Sequence, residues 1–257
     1  MIPFFRRIRK GLLGDGAISR YLIYGVGEVV LVVIGILIAL QVNNWNERRK
    51  DRQIEQTYLQ NLKEELSENK EICLSRMKID EFQSDNAHLL IKVMNEDTIL
   101  EDLEPMLVAI EHVGRQRPLS YLIQNVWEEL HSTGHITLFQ NQELKKELTH
   151  TYRQMNFMLG FTSEWNSYNA GARDLMRGMF SSHLSIAIRS KLRPSEYIGD
   201  LETTEEFEQA LEKLKQLTDV EGFLVDIYNT RQTSAAFFSE LIDRIDSSIT
   251  IIDGELE

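Results

Sequence analysis

The plainest chemical promise lies in two Glu-x-x-His pairs, Glu128–His131 and Glu147–His150. On a helix, residues three apart share a face. A carboxylate and an imidazole so placed form the half-site of a di-iron carboxylate bundle. Such a centre also takes inward glutamates from two further helices. Here the pairs stand 19 residues apart around a turn, in a chain with 40 acids. Chance accounts for the match, and no metal is expected. His131 and His135 have the spacing of a zinc H-x-x-x-H pair, but no Glu follows His131 and Gly134 interrupts the helix between them. Cys73 is the only cysteine. It has no intrachain disulfide partner and no catalytic setting. No glycine-rich phosphate loop occurs, so no cofactor is expected. "MNFMLGFTSEWNSY" spaces Met and aromatic residues as a core stripe does, with a ligand pocket as the alternative.

One acid stands out by its surroundings. Glu28 lies inside Tyr21–Val42, a run of 22 residues whose only other ionisable side chains are Tyr21 and Tyr24. About 20 apolar residues cross a hydrocarbon core of roughly 30 Å. Tyr21 and Trp45 are about 36 Å apart along a helix. That spacing suits the two interfaces, where aromatic rings settle. A cleaved signal peptide has a shorter apolar region ending in a small-x-small site. "LIALQVNN" offers none, so a retained anchor is expected.

Tyr21, Gly25, Glu28, Val32, Gly35, Ala39 and Val42 follow one another at steps of four and three. That 3.5-residue repeat draws one stripe along the helix. Small residues on it permit close approach of a second helix. An ionised acid near the bilayer centre costs roughly 2.5–3.5 kcal/mol on insertion scales, and a partner across a helix interface lowers that cost. The expected association seam is Gly25, Glu28, Val32, Gly35 and Ala39. The alternative is a tolerated acid, neutral or reaching water through a local defect. With no second apolar run of that length in the sequence, the expected partner is another copy of the chain or another membrane protein.

Charge divides along the chain. Residues 1–52 carry nine Lys+Arg against four Asp+Glu, and the remainder 19 against 36. The acidic body argues against nucleic acid, while the basic end suits a lipid bilayer. "IPFFRRIRKGLL", with Arg6, Arg7, Arg9 and Lys10 among apolar residues, reads as an interfacial amphipathic helix or as a plain basic flank. The positive-inside rule is nearly tied, with five Lys/Arg before the span and four closely after it. The basic tail favours a cytoplasmic N-terminus.

"FFRRIRKGLL" followed by "YLIYGVGEVVLVVIGILIALQVNNWNERR" resembles the N-terminal signature of an uncharacterised Bacteroidota family of small membrane-anchored proteins, a domain of unknown function. "VWEELHSTGHITLFQNQELKKEL" is similar to that family's second recurring stretch. The resemblance is close over residues 1 to about 50 and loose beyond. It implies an inner-membrane protein of a Gram-negative cell and no activity or catalytic residues.

The elements that must position these groups are helical. Residues 36–104 contain neither Gly nor Pro, so one long helix is expected to run to about Asn95. "NEDT" punctuates it. A helix over "ILEDLEPMLVAIEHV" follows, stopped by Gly114 and Pro118. Ser120 caps "YLIQNVWEELHST", which Gly134 closes in the left-handed conformation. "HITLFQN" is a connector, with extended backbone as one option. A long helix from "QELKKEL" comes next, with a break near Gly171 or Gly178, then a loop over "RPSEYIGD". Thr203 or Thr204 caps "EEFEQALEKLKQLT". A last helix runs from about Asp219 to Ile252, with Phe223, Ile227, Phe238, Ile242, Ile245 and Ile249 on one side.

The expected fold is all-α. A basic interfacial segment covers 1–18, a transmembrane helix 19–45, and an antiparallel helical bundle, on the periplasmic side, 46–257. The functional expectation is a non-enzymatic single-pass scaffold or sensory subunit of the inner membrane. Only about 20 residues precede the span, too few for an output domain. A proton- or cation-conducting assembly using Glu28 is the first alternative and a bundle metalloenzyme the second.

Overall fold

The computed structural model describes residues 17–95, 104–113, 121–168, 209, 212–217 and 219–257. Its main elements are α1 (Ala17–Met94), α2 (Glu104–Val113), α3 (Asn125–Thr133), a 3-10 turn (His135–Leu138), α4 (Gln142–Tyr168) and α5 (Val220–Leu256). Every regular element among the described residues is helical. The chain forms two compact units, Met1–Thr57 and Tyr58–Glu257.

In the first unit, the helix begins at Ala17 and runs through Gly25, Gly27 and Gly35 into the stretch that lacks Gly and Pro. The described side chains from Leu22 to Lys50 are all exposed. Among the described residues nothing covers this apolar surface, and surfaces of that kind mark sites of interaction.

In the second unit, α1 packs with α4 and α5. Lys63 pairs with Asp253 and Lys70 with Asp246, both at 2.6 Å. Further along, Gln232 donates to Ser84 at 3.0 Å and Asn95 to Glu221 at 3.1 Å. The α5 partners thus fall in number as the α1 positions rise. Two apolar clusters form the core. The larger joins Leu59, Leu62 and Leu66 of α1 to Leu148, Tyr152 and Met155 of α4 and to Phe238, Leu241 and Ile245 of α5. The smaller joins Ala87 and Leu90 to Met106, Ala109 and Ile110 of α2 and to Leu224 and Ile227 of α5. Burying one such side chain is worth about 1.5–3 kcal/mol. On the last helix, Ile227, Phe238, Ile242 and Ile245 of the expected stripe are buried, while Phe223 and Ile249 are half-buried. Its end lies at Leu256, past Ile252.

Helix ends follow local chemistry. Pro105 sits in the first turn of α2, where a missing N–H costs no helix bond. Asn141 caps α4, its Oδ1 accepting the N–H groups of Glu143 at 2.9 Å and Leu144 at 3.0 Å. Gly134 closes α3 with φ 76°, its N–H donating to the carbonyl of His131, the left-handed ending its sequence position suggests.

Two expectations need correction. The helix over "YLIQNVWEELHST" starts at Asn125, not near Tyr121. Asn69 of α1 holds the Ile123 backbone from both sides at 2.7 Å, accepting its N–H and donating to its carbonyl. "HITLFQN" is not extended throughout, because His135–Leu138 form a 3-10 turn. The basic segment through residue 16, the Gly114–Pro118 stop, the Ser120 cap, the Gly171 or Gly178 break, the "RPSEYIGD" loop and the Thr203 or Thr204 cap lie outside the described residues.

Candidate functional site

Glu28 is exposed on the apolar part of α1, as are Gly25, Val32, Gly35 and Ala39. A side-chain carbon added at Gly25 or Gly35 would meet nothing within 4 Å. Nothing among the described residues therefore requires glycine there. A window of this helix, of mean hydropathy 2.6 and wholly unburied, is long and apolar enough to cross a membrane. Trp45, 64% exposed, ends the run, and the Arg49 guanidinium stands 5.9 Å from its ring centre. The Tyr21 side chain and Arg6, Arg7, Arg9 and Lys10 lie outside the described residues.

The Glu-x-x-His pairs do not converge. Glu128, His131 and His150 are exposed, and Glu147 faces Arg244 at 3.3 Å. The His131 ring packs edge-on against Trp127 at 4.4 Å. His135 turns elsewhere. The Tyr58 hydroxyl donates to Glu129 at 2.8 Å, so the His135 Nδ1, 2.9 Å from the same oxygen, donates to it and carries the proton. Among the described residues, no group of three or more His, Cys, Asp or Glu gathers as metal ligands would.

The stretch "VWEELHSTGHITLFQNQELKKEL" instead clasps the bundle. Glu65 of α1, nearly buried, accepts the Val126 N–H at 2.8 Å and the Tyr152 hydroxyl at 2.5 Å. Its carboxylate thereby does for α3 what Gln124 does not do as a cap. Trp127 stacks on Tyr152 with ring centres 4.5 Å apart and planes 3° from parallel. Burial raises the Tyr152 phenol above its ordinary value, and the Glu65 charge raises it further. Burial also pushes the Cys73 thiol up to about 12. That burial disfavours the reactive thiolate at neutral pH.

Sequence reasoning missed a charged layer between the two apolar clusters. Asp80, fully buried, accepts from Arg76 Nε at 3.1 Å and Nη2 at 2.6 Å, from Arg231 Nη1 at 3.2 Å and from Ser234 Oγ at 2.7 Å. Two guanidiniums thus share one carboxylate, and Arg231 Nε has no hydrogen-bond partner among the described residues. Burial lowers the Arg231 pKa, opposed by Asp80 and reinforced by Arg76. The available signal was Arg76 and Asp80 at i, i+4, together with an arginine on the apolar side of the last helix.

Of the Met–aromatic stretch, Met155 and Met158 are core, while Phe157 is 52% exposed. Phe161 touches Phe157, Trp165 and Phe237. Beside Trp165 an open groove of about 500 Å³ is lined by Glu164, Asp226, Asn229, Thr230 and Thr233. The Thr230 hydroxyl is turned to the Asp226 carbonyl at 2.6 Å.

No curated protein and no solved structure matches the chain. Residues 28–198 match the family of unknown function DUF6090. That match includes Glu28, Val32, Gly35 and Ala39, though not Gly25, and the whole α3 clasp. With more than half of its length inside the match, the chain belongs to that family.

Proposed function

We propose that this protein is a non-enzymatic, single-pass inner-membrane scaffold or sensory subunit. Its N-terminus is cytoplasmic and its antiparallel helical bundle periplasmic. It associates through the face carrying Gly25, Glu28, Val32, Gly35 and Ala39. The observation that carries this reading is the exposed apolar part of α1, whose single acid shares a stripe with Gly25 and Gly35, where an added side-chain carbon would meet nothing among the described residues. Burying that stripe against a second helix gives the carboxyl a hydrogen-bonding environment and lets the backbones approach.

The test scores association in the membrane by cross-linking or two-hybrid reporting. Gly35→Leu adds bulk at the seam. Glu28→Gln keeps the size and hydrogen bonding of the side chain without its charge, and Glu28→Leu removes both. Leu31→Ala, off the stripe, is the control. Gly35→Leu and Glu28→Leu weaken association, the latter by about 0.6–2 kcal/mol, and Glu28→Gln retains it. Equal association of all four variants with wild type would remove the seam. A periplasm-dependent reporter fused after Glu257 is active in this orientation, and a silent one reverses it.

A conducting subunit is the second reading, favoured by Glu28 being the only carboxylate in the apolar run. Proton flux in liposomes that Glu28→Gln abolishes supports it, and no flux removes it.

A further inference from the structure

One turn past the apolar run, α1 gathers cations on one side. At 100° per residue, Trp45, Arg48, Arg49 and Arg52 fall within about 100° of the helix circumference. Lys50 and Glu47 fall on the far side. The environment of the four is uneven. Arg52 is held by Glu55 at 2.7 Å, while Arg48 and Arg49 are exposed and have no ion pair among the described residues. Arg49 instead lies over the Trp45 ring at 5.9 Å. Asn43 Nδ2 donates to Glu47 at 3.0 Å, and that nearest upstream acid lies on the far side of the helix. Asp51, the remaining neighbouring acid, lies roughly 60° outside the arc.

We propose that Trp45, Arg48 and Arg49 form a binding site for the phosphate of an anionic phospholipid. The inference rests on the membrane reading above. The site begins where the apolar run ends, so its depth is that of the headgroups. An indole prefers that level, with its ring among acyl carbonyls and its N–H toward water. Guanidinium groups bind phosphate oxygens in a fixed fork and are more weakly hydrated than ammonium. Arg49 over the Trp45 ring is also restrained, so less freedom is lost when it engages a headgroup. The arc's centre is turned roughly 120° from the mean direction of Gly25, Glu28, Val32, Gly35 and Ala39. The face that meets another helix and the face that meets lipid are therefore different, and both can be occupied together. The charge of the arc selects an anionic headgroup over a zwitterionic one.

The test uses the full chain with equal amounts of phosphatidylglycerol and phosphatidylcholine. Liposome flotation is measured first, and lipid adducts are then counted by native mass spectrometry. Wild type floats and keeps phosphatidylglycerol in several-fold excess. Each arginine removed, as Arg48→Gln or Arg49→Gln, lowers that excess by about five-fold until the ratio approaches one. Lys50→Gln, off the arc, leaves it unchanged. Flotation of wild type with a ratio near one overturns the lipid site and leaves the membrane reading standing. Failure to float overturns both. A third arm adds inorganic phosphate to phosphatidylcholine liposomes. Phosphate adducts that compete with phosphatidylglycerol would make this a free-anion site and overturn the lipid assignment.

Discussion

Removing Asp80 leaves Arg76 and Arg231, both about 95% buried, facing each other with no carboxylate between them. Four hydrogen bonds end on that carboxylate, so Asp80→Ala frees four donors at once. Breaking a buried pair by removing one partner costs about 3–5 kcal/mol, because an uncompensated charge remains. The layer already holds one more positive than negative charge, which places the expected loss at the upper end. For a protein of this size each kcal/mol moves the melting temperature by about 2–4 °C, so Asp80→Ala lowers it by roughly 10–20 °C. Asp80→Asn retains acceptance through one oxygen but not the charge, and falls between. The decisive variant is the triple replacement Arg76→Met, Asp80→Leu and Arg231→Met. It removes every charge and joins the two apolar clusters. Exchanges of this kind are neutral or stabilising by about 1–4 kcal/mol, so the triple variant melts at or above wild type. Circular dichroism of the full chain in mild detergent reads all four proteins. An Asp80→Ala variant within 2 °C of wild type would refute the reasoning, since a shift below about 1 kcal/mol means the charges are not desolvated.

Cys73 stays unreactive toward a disulfide reagent at pH 8 in the native protein and reacts once when denatured, because burial holds the thiol up to about 12; prompt reaction in the native state contradicts its placement. Gly134→Ala destabilises the protein by about 1 kcal/mol in a denaturant titration, since φ 76° suits glycine; an unchanged midpoint means the α3 ending is not as described. Tyr152 keeps its proton in the fold above the ordinary phenol value, whereas the unfolded chain releases it near that value, about 10. The folded state then binds more protons, so stability is intact below about pH 10 and falls as pH rises above it. Tyr152→Phe flattens that alkaline decline, and an identical slope in both proteins removes the assignment.

The helices were legible because their signals are local. The absence of Gly and Pro over 36–104 forecast α1, and Gly134 forecast the end of α3 through its own backbone freedom. The apolar stripe of the last helix was readable at Ile227, Phe238, Ile242 and Ile245 for the same reason. What escaped was decided across the bundle. Asn69 and Ile123 are 54 residues apart, and no periodicity announces that one side chain will take both backbone groups of another segment and delay a helix start. Glu65 reads on its own as one more solvated acid in a run of acids, yet it caps α3 and holds Tyr152. Asp80 is the sharpest case. Its i−4 arginine looks like an ordinary surface pair, and only the arrival of Arg231 and Ser234 from another helix turns that pair into a buried layer. Asn141 is different in kind, because a capping residue directly before "QELKKEL" is a local signal and was open to reading. The candidate site divides in the same way. Glu28 and its small neighbours are visible in one dimension because an exposed apolar helix has little other context to supply meaning. The cationic arc at Trp45, Arg48 and Arg49 needed a helix that continues unbroken past the apolar run. Continuity fixes those three residues on one face and turns that face roughly 120° from the stripe of Glu28 and its small neighbours.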